Sequence, residues 1–423
     1  VETLSAVELD RAALAAQYRA NRARSAELFA LIDPAVYYIA PIPLRHPFVF
    51  YEGHLPAFSF ITLLRDALGA PSIDRRLEDL FNRGIDPDSL DAARRHARDD
   101  WPSRAEVRAF AARCDEVVLA AYAGARLDDP ANPQLTGAQA AYTILEHEEM
   151  HHETLLYIVH RLPDERKRAG RFQHRDVAVA KREPIAVAAG PATLGVARDS
   201  IAFGWDNEFD EHVVDVGAFG CDAFDVTNGE FLDFVRAGGP VPPFWVEDGN
   251  GGWLLRTFAE RIPLPLSWPV YCTNAQAAAY AAWSGARLLT EAEYHRAAYG
   301  SPAGDERHQP WGEGADARYG NFDFRRFDPE PVGSYPHGAS AWGIEDLVGN
   351  GWEWTSTPFA PFTGFTPMAS YLPYSADFFD DEHFVIKGAS PVTSRNLVRR
   401  SFRNWYRRDY PYMYATFRRA WDS

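Results

Sequence analysis

Cysteine is nearly absent: Cys114, Cys221 and Cys272 are the only three in 423 residues. An odd, widely spaced set excludes a disulfide framework and a CxxC metal clip, and it suits a reducing compartment. Long apolar runs are missing too. With no stretch of about 18 consecutive apolar residues, nothing marks a membrane-spanning helix. Positive charge is in deficit, with 43 Lys and Arg against 59 Asp and Glu and a formal net charge of −16. That balance argues against a nucleic-acid surface and leaves small molecules as the expected partners. The opening VETLSAVELD lacks the basic-then-apolar progression of a signal peptide, so a cytoplasmic protein is expected. Internal repeats and low-complexity tracts are absent from both halves.

What is present divides in two. The length exceeds the roughly 250–300 residues at which single cores stop growing, so two domains are the default. Residues 1–168 read as a helical bundle, 169–184 as a linker that takes in much of the polar run DERKRAGRFQHRD, and 185–423 as an α+β domain. In the first part, residues 7 to 32 carry leucines and alanines at helical spacing. A second helix is expected over about 47 to 68, bent at Pro56, which removes a hydrogen bond and crowds the preceding turn. A third spans 103 to 125, and a fourth spans 137 to 162, opened by a capping box between Thr136 and Gln139 and closed by Pro163. In the second part Gly, Pro and aromatic residues interrupt the chain every few positions. Strands there look short, and only 274–284 and 290–299 read as helices.

The chemistry concentrates in HEEMHHE, where His147 and His151 stand four apart and share one helix face. FYEGH adds His54 on an aromatic, apolar helix, and bundle interiors are where ligands from different helices converge. A third imidazole would close a three-histidine site with open coordination positions, which predicts a metalloenzyme. Imidazole accepts iron, copper, zinc and nickel alike, so these residues leave the metal open. HEEMH also satisfies the HExxH pattern of zinc hydrolases, with Glu148 as the general base. The longer metzincin form would need Gly at 154 and His at 157, where this chain has Thr154 and Tyr157. Polar histidines on a half-exposed helix are the bland alternative, as is a non-catalytic binding module. His46, His152 and His160 fall off the shared face and read as solvent-facing or supporting residues.

The second half carries DNEFDEHVVDVGAFGCDAFDVTNGEFLDFVRAGG, WSGARLLTEAEYHRAA, GIEDLVGNGWEWT, KGAS, RRSFRN and FRRA, in that order. Together these resemble the formylglycine-generating-enzyme type of C-type-lectin-like domain. The copper-binding cysteine pair of those enzymes has no counterpart, because no cysteine follows Cys272. Joined to a bundle bearing FYEGH and HEEMHHE, such a domain resembles the ergothioneine-type sulfoxide synthases, with their ovothiol and selenoneine branches, over nearly the whole chain. The resemblance implies a DinB-like four-helix bundle followed by a formylglycine-generating-enzyme-like domain, with iron between helices and substrate between domains. It further implies Fe(II) held by His54, His147 and His151, and dioxygen-dependent joining of a sulfur or selenium donor to the imidazole of histidine or its trimethylated form, hercynine.

RHPFVFYEGH looks closer to the ovothiol and selenoneine branches than to the mycobacterial-type synthase. The run RNWYRRDYPYMYATFR resembles the RNW segment of the family, which implies that Asn404 and Trp405 line the hercynine pocket. An indole face suits a quaternary ammonium, a cation–π contact worth up to about 2 kcal/mol when desolvated. Tyr406 stands where the family has an acidic residue, and Met150 where it has glutamine. This divergence favours a selenosugar donor over cysteine or γ-glutamylcysteine. Tyr371 and Tyr374 are candidates for the family's active-site tyrosine, and Arg83, Arg407 and Arg408 for gripping an anionic donor. Asn350, Trp352, Glu353 and Trp354 resemble the scaffold motif of the domain class and are expected to be structural. Arg287 and Glu291 are expected to serve helix capping and an ion pair.

Overall fold

Helix-forming residues dominate the first third of the chain, and the computed structural model follows them closely. It describes residues 9–43, 45–82, 100–168, 170, 173–178, 183–314 and 316–422. Helix α1, Arg11–Ala30, starts where the Asp10 carboxylate accepts from the Ala13 N–H at 2.9 Å. Helix α2, Phe48–Ser59, is buried along its whole length and contains Pro56. Without an N–H, Pro56 cannot donate to the carbonyl one turn back, and the helix continues as a π-helical segment, Phe60–Ala67. The expected bend is therefore followed by a change of helix type, a common way of absorbing such a mismatch.

Helix α3, Arg75–Phe81, is capped by Asp74 and escaped the sequence reading because seven residues are too few to show a period. Helix α4, Arg104–Gly124, starts at Ser103, whose hydroxyl accepts from the Glu106 N–H. Helix α5, Gln139–His160, carries both histidines of HEEMH. Its expected capping box is not formed. Ala138, in a left-handed conformation, occupies the cap position, and Thr136 donates to the Asn132 carbonyl instead. Gln139 is used elsewhere: its side-chain oxygen accepts from the Ser370 N–H at 3.1 Å. Helix α1 packs against α4 and α5, and α2 packs against α3, α4 and α5.

The chain falls into two compact units, one of Val1–Arg168 with Met368–Leu372, the other of Ala169–Pro367 with Pro373–Ser423. The return of residues 368–372 to the first unit was not legible in the sequence. In the second unit, β1 (Ile185–Val187), β4 (Phe219–Cys221), β13 (Arg419–Asp422) and β8 (Arg287–Leu288) form one four-stranded sheet in that order. The other holds β11 (Asn404–Arg407), β10 (His383–Ala389), β9 (Gly351–Pro358) and β12 (Ala415–Thr416). A hairpin of β2 (Gly190–Leu194) with β3 (His212–Val216) and a meander of β5 (Trp245–Glu247), β6 (Trp253–Arg256) and β7 (Arg261–Pro263) complete it. Helices α7 (Asn274–Trp283) and α8 (Glu291–Tyr299) lie where the sequence predicts. Helix α6, Asn228–Arg236, was missed because Gly229 interrupts it, although Thr227 and Glu230 form a capping box.

The GNGWEWT residues hold the fold. Asn350 takes a left-handed φ of 67°, which its short amide tolerates, and bridges to Glu330 through its side-chain oxygen and nitrogen at 2.8 and 2.9 Å. Trp352 and Trp354 are buried, and Glu353 pairs with Arg418. Arg287 makes its ion pair with Glu293, the capping partner of Thr290, while Glu291 pairs with buried Arg403. No helix among the described residues is long and apolar enough to cross a membrane.

Candidate metal centre

One turn of α2 and two turns of α5 supply three imidazoles to a single point. His54, His147 and His151 are each at most 5% exposed, and one ligand atom from each lies within 4.8 Å of the others. Among the described residues this is the only such group of His, Cys, Asp and Glu. Two nitrogens each about 2.1 Å from one ion sit about 3.0 Å apart at a right angle and about 3.4 Å apart at a tetrahedral one. The 3.2 Å between the Nε2 atoms of His147 and His151 falls between these. Aromatic rings fix the imidazole planes: Phe50 stacks on His54 at 5.0 Å, and Phe58 on His147 at 3.5 Å between centroids.

Protonation is settled by environment. His54 Nδ1 lies 2.7 Å from the Phe81 carbonyl, which can only accept, so the proton sits on Nδ1. Nε2 of His54 then presents its lone pair inward, buried and with no hydrogen-bond partner. Burial lowers the His54 pKa to about 4, despite the opposing pull of that carbonyl. His147 and His151 are also driven well below 6.5, first by burial and then by neighbouring imidazoles. Three neutral imidazoles with a converging, orphaned lone pair are what a divalent transition metal requires.

Stability should record this. Unfolded His54 binds a proton near pH 6.5, whereas folded His54 resists until about pH 4, so the unfolded chain holds more protons between these values. Metal-free protein is expected to lose stability as the pH falls through that window, with His54 alone worth on the order of 3 kcal/mol at its lower end. Denaturant titrations of the metal-free protein at pH 7 and pH 4.5 measure it, and a flat profile would contradict neutral burial.

Glu148 faces elsewhere. Its carboxylate accepts from Arg22 at 2.7 Å and from the Ser25 hydroxyl at 2.5 Å, both on α1, and Arg22 also pairs with Asp115 on α4. One residue on from His147, it lies about 100° further round the helix. It is a tie between helices, which corrects the HExxH hydrolase reading of Glu148 as a base. Glu148→Gln is expected to lower stability by about 1–3 kcal/mol through the weakened buried bond. Turnover per bound metal should stay within a few-fold of the parent, and its abolition would restore the hydrolase reading. His152, expected to face solvent or support the site, is buried and lies 2.9 Å from the same Ser25 hydroxyl. His160 is buried as well.

The two candidate tyrosines separate. Tyr371 belongs to the first unit, with its ring 6.0 Å edge-on to His147 and 5.1 Å from Phe58. Tyr374 belongs to the second unit and stacks on Trp205 at 3.9 Å. Met150 is half-buried on α5. On β11, Trp405 stacks on Phe359 at 4.2 Å and meets Tyr374 edge-on at 5.2 Å, so an aromatic wall exists around it. Asn404 accepts from the Trp405 N–H, and Tyr406 stacks on Tyr410 at 5.1 Å. Arg407 and Arg408 are exposed, and Arg407 faces Glu382 at 3.7 Å, the arrangement of a solvated surface. Arg83 lies outside the described residues. The sequence reading missed Phe81, Phe50 and Ser25, which act through a backbone carbonyl, a stacked ring and a tie between helices.

A buried imidazole triad inside a helical bundle, carried in one chain with a short-stranded second unit, is a candidate metal centre. The sulfatase-modifying factor enzyme 1-like domain family matches residues 170–423, and the DinB superfamily matches residues 17–155. Hercynine oxygenase of Mycolicibacterium thermoresistibile is 33% identical over 90% of this chain and 88% of its own length. Hercynine oxygenase of Mycobacterium tuberculosis is 40% identical over 54% of this chain and 58% of that protein. Ergothioneine biosynthesis protein 1 of Neurospora crassa is 28% identical over 89% of this chain, which spans about half, 54%, of that relative. The chain belongs to the hercynine oxygenase family.

Proposed function

We propose that this enzyme uses Fe(II) and dioxygen to join a chalcogen donor to the imidazole carbon of hercynine. The carrying observation is the triad of buried imidazoles, one ligand atom of each lying within 4.8 Å of the others and Nε2 of His54 left without a hydrogen-bond partner. His54, His147 and His151 would hold the iron, which supplies redox chemistry toward dioxygen and a template for the donor. The overall change balances: an imidazole C–H and a thiol or selenol hydrogen are lost, and a carbon–chalcogen bond forms. One oxygen atom of O2 ends on the chalcogen and the other leaves as water. Tyr371, placed beside His147, is our choice for the residue that holds and delivers a proton at its Oη. Trp405, walled by Phe359 and Tyr374, suits the trimethylammonium group.

For the donor we favour a selenosugar over cysteine or γ-glutamylcysteine. Met150 and Tyr406 support this, standing where glutamine and an acidic residue would be expected of thiol-using relatives. Aerobic and anaerobic turnover of hercynine with a selenosugar, with cysteine and with γ-glutamylcysteine tests both parts. Oxygen-dependent consumption is expected, with the selenosugar preferred. Exclusive use of a thiol would reject the selenium assignment, and oxygen-independent turnover would reject the reaction class.

A further inference from the structure

Glycine in the middle of a buried helix gives up stability and has to be explained. Gly53, next to His54 in α2, has ordinary helical backbone and is not among the glycines with positive φ. Conformational freedom is therefore not its use. Close approach is: a Cβ built on Gly53 would fall 2.3 to 2.5 Å from three ring atoms of Phe81. No side chain fits there while that ring stays in place.

Phe81 ends α3, and the last carbonyls of a helix have no partner within it. Its own carbonyl is the group that takes the His54 Nδ1–H at 2.7 Å. The approach that requires glycine at 53 and the hydrogen bond that orients His54 are thus made by one residue. Helix α3 is in turn anchored by Glu78, fully buried, which accepts from Ser72, from the backbone N–H groups of Ile73 and Asp74, and from Arg65. Phe81 also meets Phe110 of α4 at 6.1 Å. The acceptor is therefore held by two helices besides α2.

We infer that Gly53 and Phe81 are a positioning pair for the metal centre: the missing side chain at 53 lets α3 deliver the carbonyl that fixes the tautomer and direction of His54. Metal-ligating histidines generally donate their second nitrogen to such a group, and losing that partner weakens metal binding about 10- to 100-fold. This inference rests on the reading of the triad as a metal site. It adds that the close packing of α3 on α2 at the glycine of FYEGH serves ligand geometry.

The probe is Co2+ alone, titrated into metal-free enzyme and followed by its visible absorption. Gly53→Ala is expected to weaken Co2+ binding about 10- to 100-fold, and 15N NMR should show the Nδ1-protonated tautomer of His54 depleted. In the background of Phe81→Ala, which removes the ring and keeps the carbonyl, adding Gly53→Ala is expected to change Co2+ affinity little. Parental affinity and tautomer in Gly53→Ala would overturn the inference. Should Gly53→Ala not fold, the comparison of Phe81→Ala with the double variant decides, and a tenfold gap between them counts against it. His54→Ala separates the two readings: undiminished Co2+ binding there would remove the metal site itself.

Discussion

Tyr371→Phe should lower kcat by about 10²- to 10⁴-fold, the usual contribution of a positioned proton donor, while metal content and KM for hercynine hold. The expectation comes from placement. Of the two tyrosines in SYLPYS, only Tyr371 is packed with His147 and Phe58, whereas Tyr374 is spent on Trp205. Tyr374→Phe keeps that stacking and should change kcat only a few-fold. Single-turnover rates of iron-loaded enzyme, with metal content measured in the same samples, separate lost chemistry from lost iron. A kcat for Tyr371→Phe within threefold of the parent would end the assignment.

Arg418→Met should destabilise the second unit by about 3–5 kcal/mol, because it strands buried carboxylates. The Arg418 guanidinium grips Glu353 through two nitrogens at 2.6 and 2.7 Å, and reaches Asp225 at 3.2 Å and the carbonyls of Asp222 and Glu345. All three side chains are buried. Burial raises both carboxyl pKa values, and Arg418 is the group that pulls them back. Guanidinium chloride unfolding, followed by a probe in the second unit, measures the effect. A loss below about 1 kcal/mol would mean that the carboxyls protonate at little cost, and that the motif owes its place to the tryptophans.

How much of this was legible depended on distance along the chain. His147 and His151 could be paired from sequence because four residues make one helical turn, and His54 could join them because a buried bundle face leaves few directions for a side chain. The long helices were legible from the same period. Helix α3 was not, since seven residues hold too little pattern, and with it the Phe81 carbonyl stayed hidden. A main-chain oxygen leaves no mark on residue identity; its one trace was the glycine at 53. Glu148 misled for a related reason. HExxH records what lies near in sequence, whereas Arg22 and Ser25, which claim that carboxylate, come from a different helix. The tyrosines could not be ranked at all, because three residues of spacing do not reveal which of them returns to the bundle.

That return is made by five residues, Met368–Leu372, stitched down by Gln139, Thr143 and Gln134. Leu372, at its edge, is 62% exposed. A protease nick beside it is therefore expected to leave Co2+ binding by the triad near the parental value while lowering the oxygen-dependent turnover of the iron-loaded enzyme.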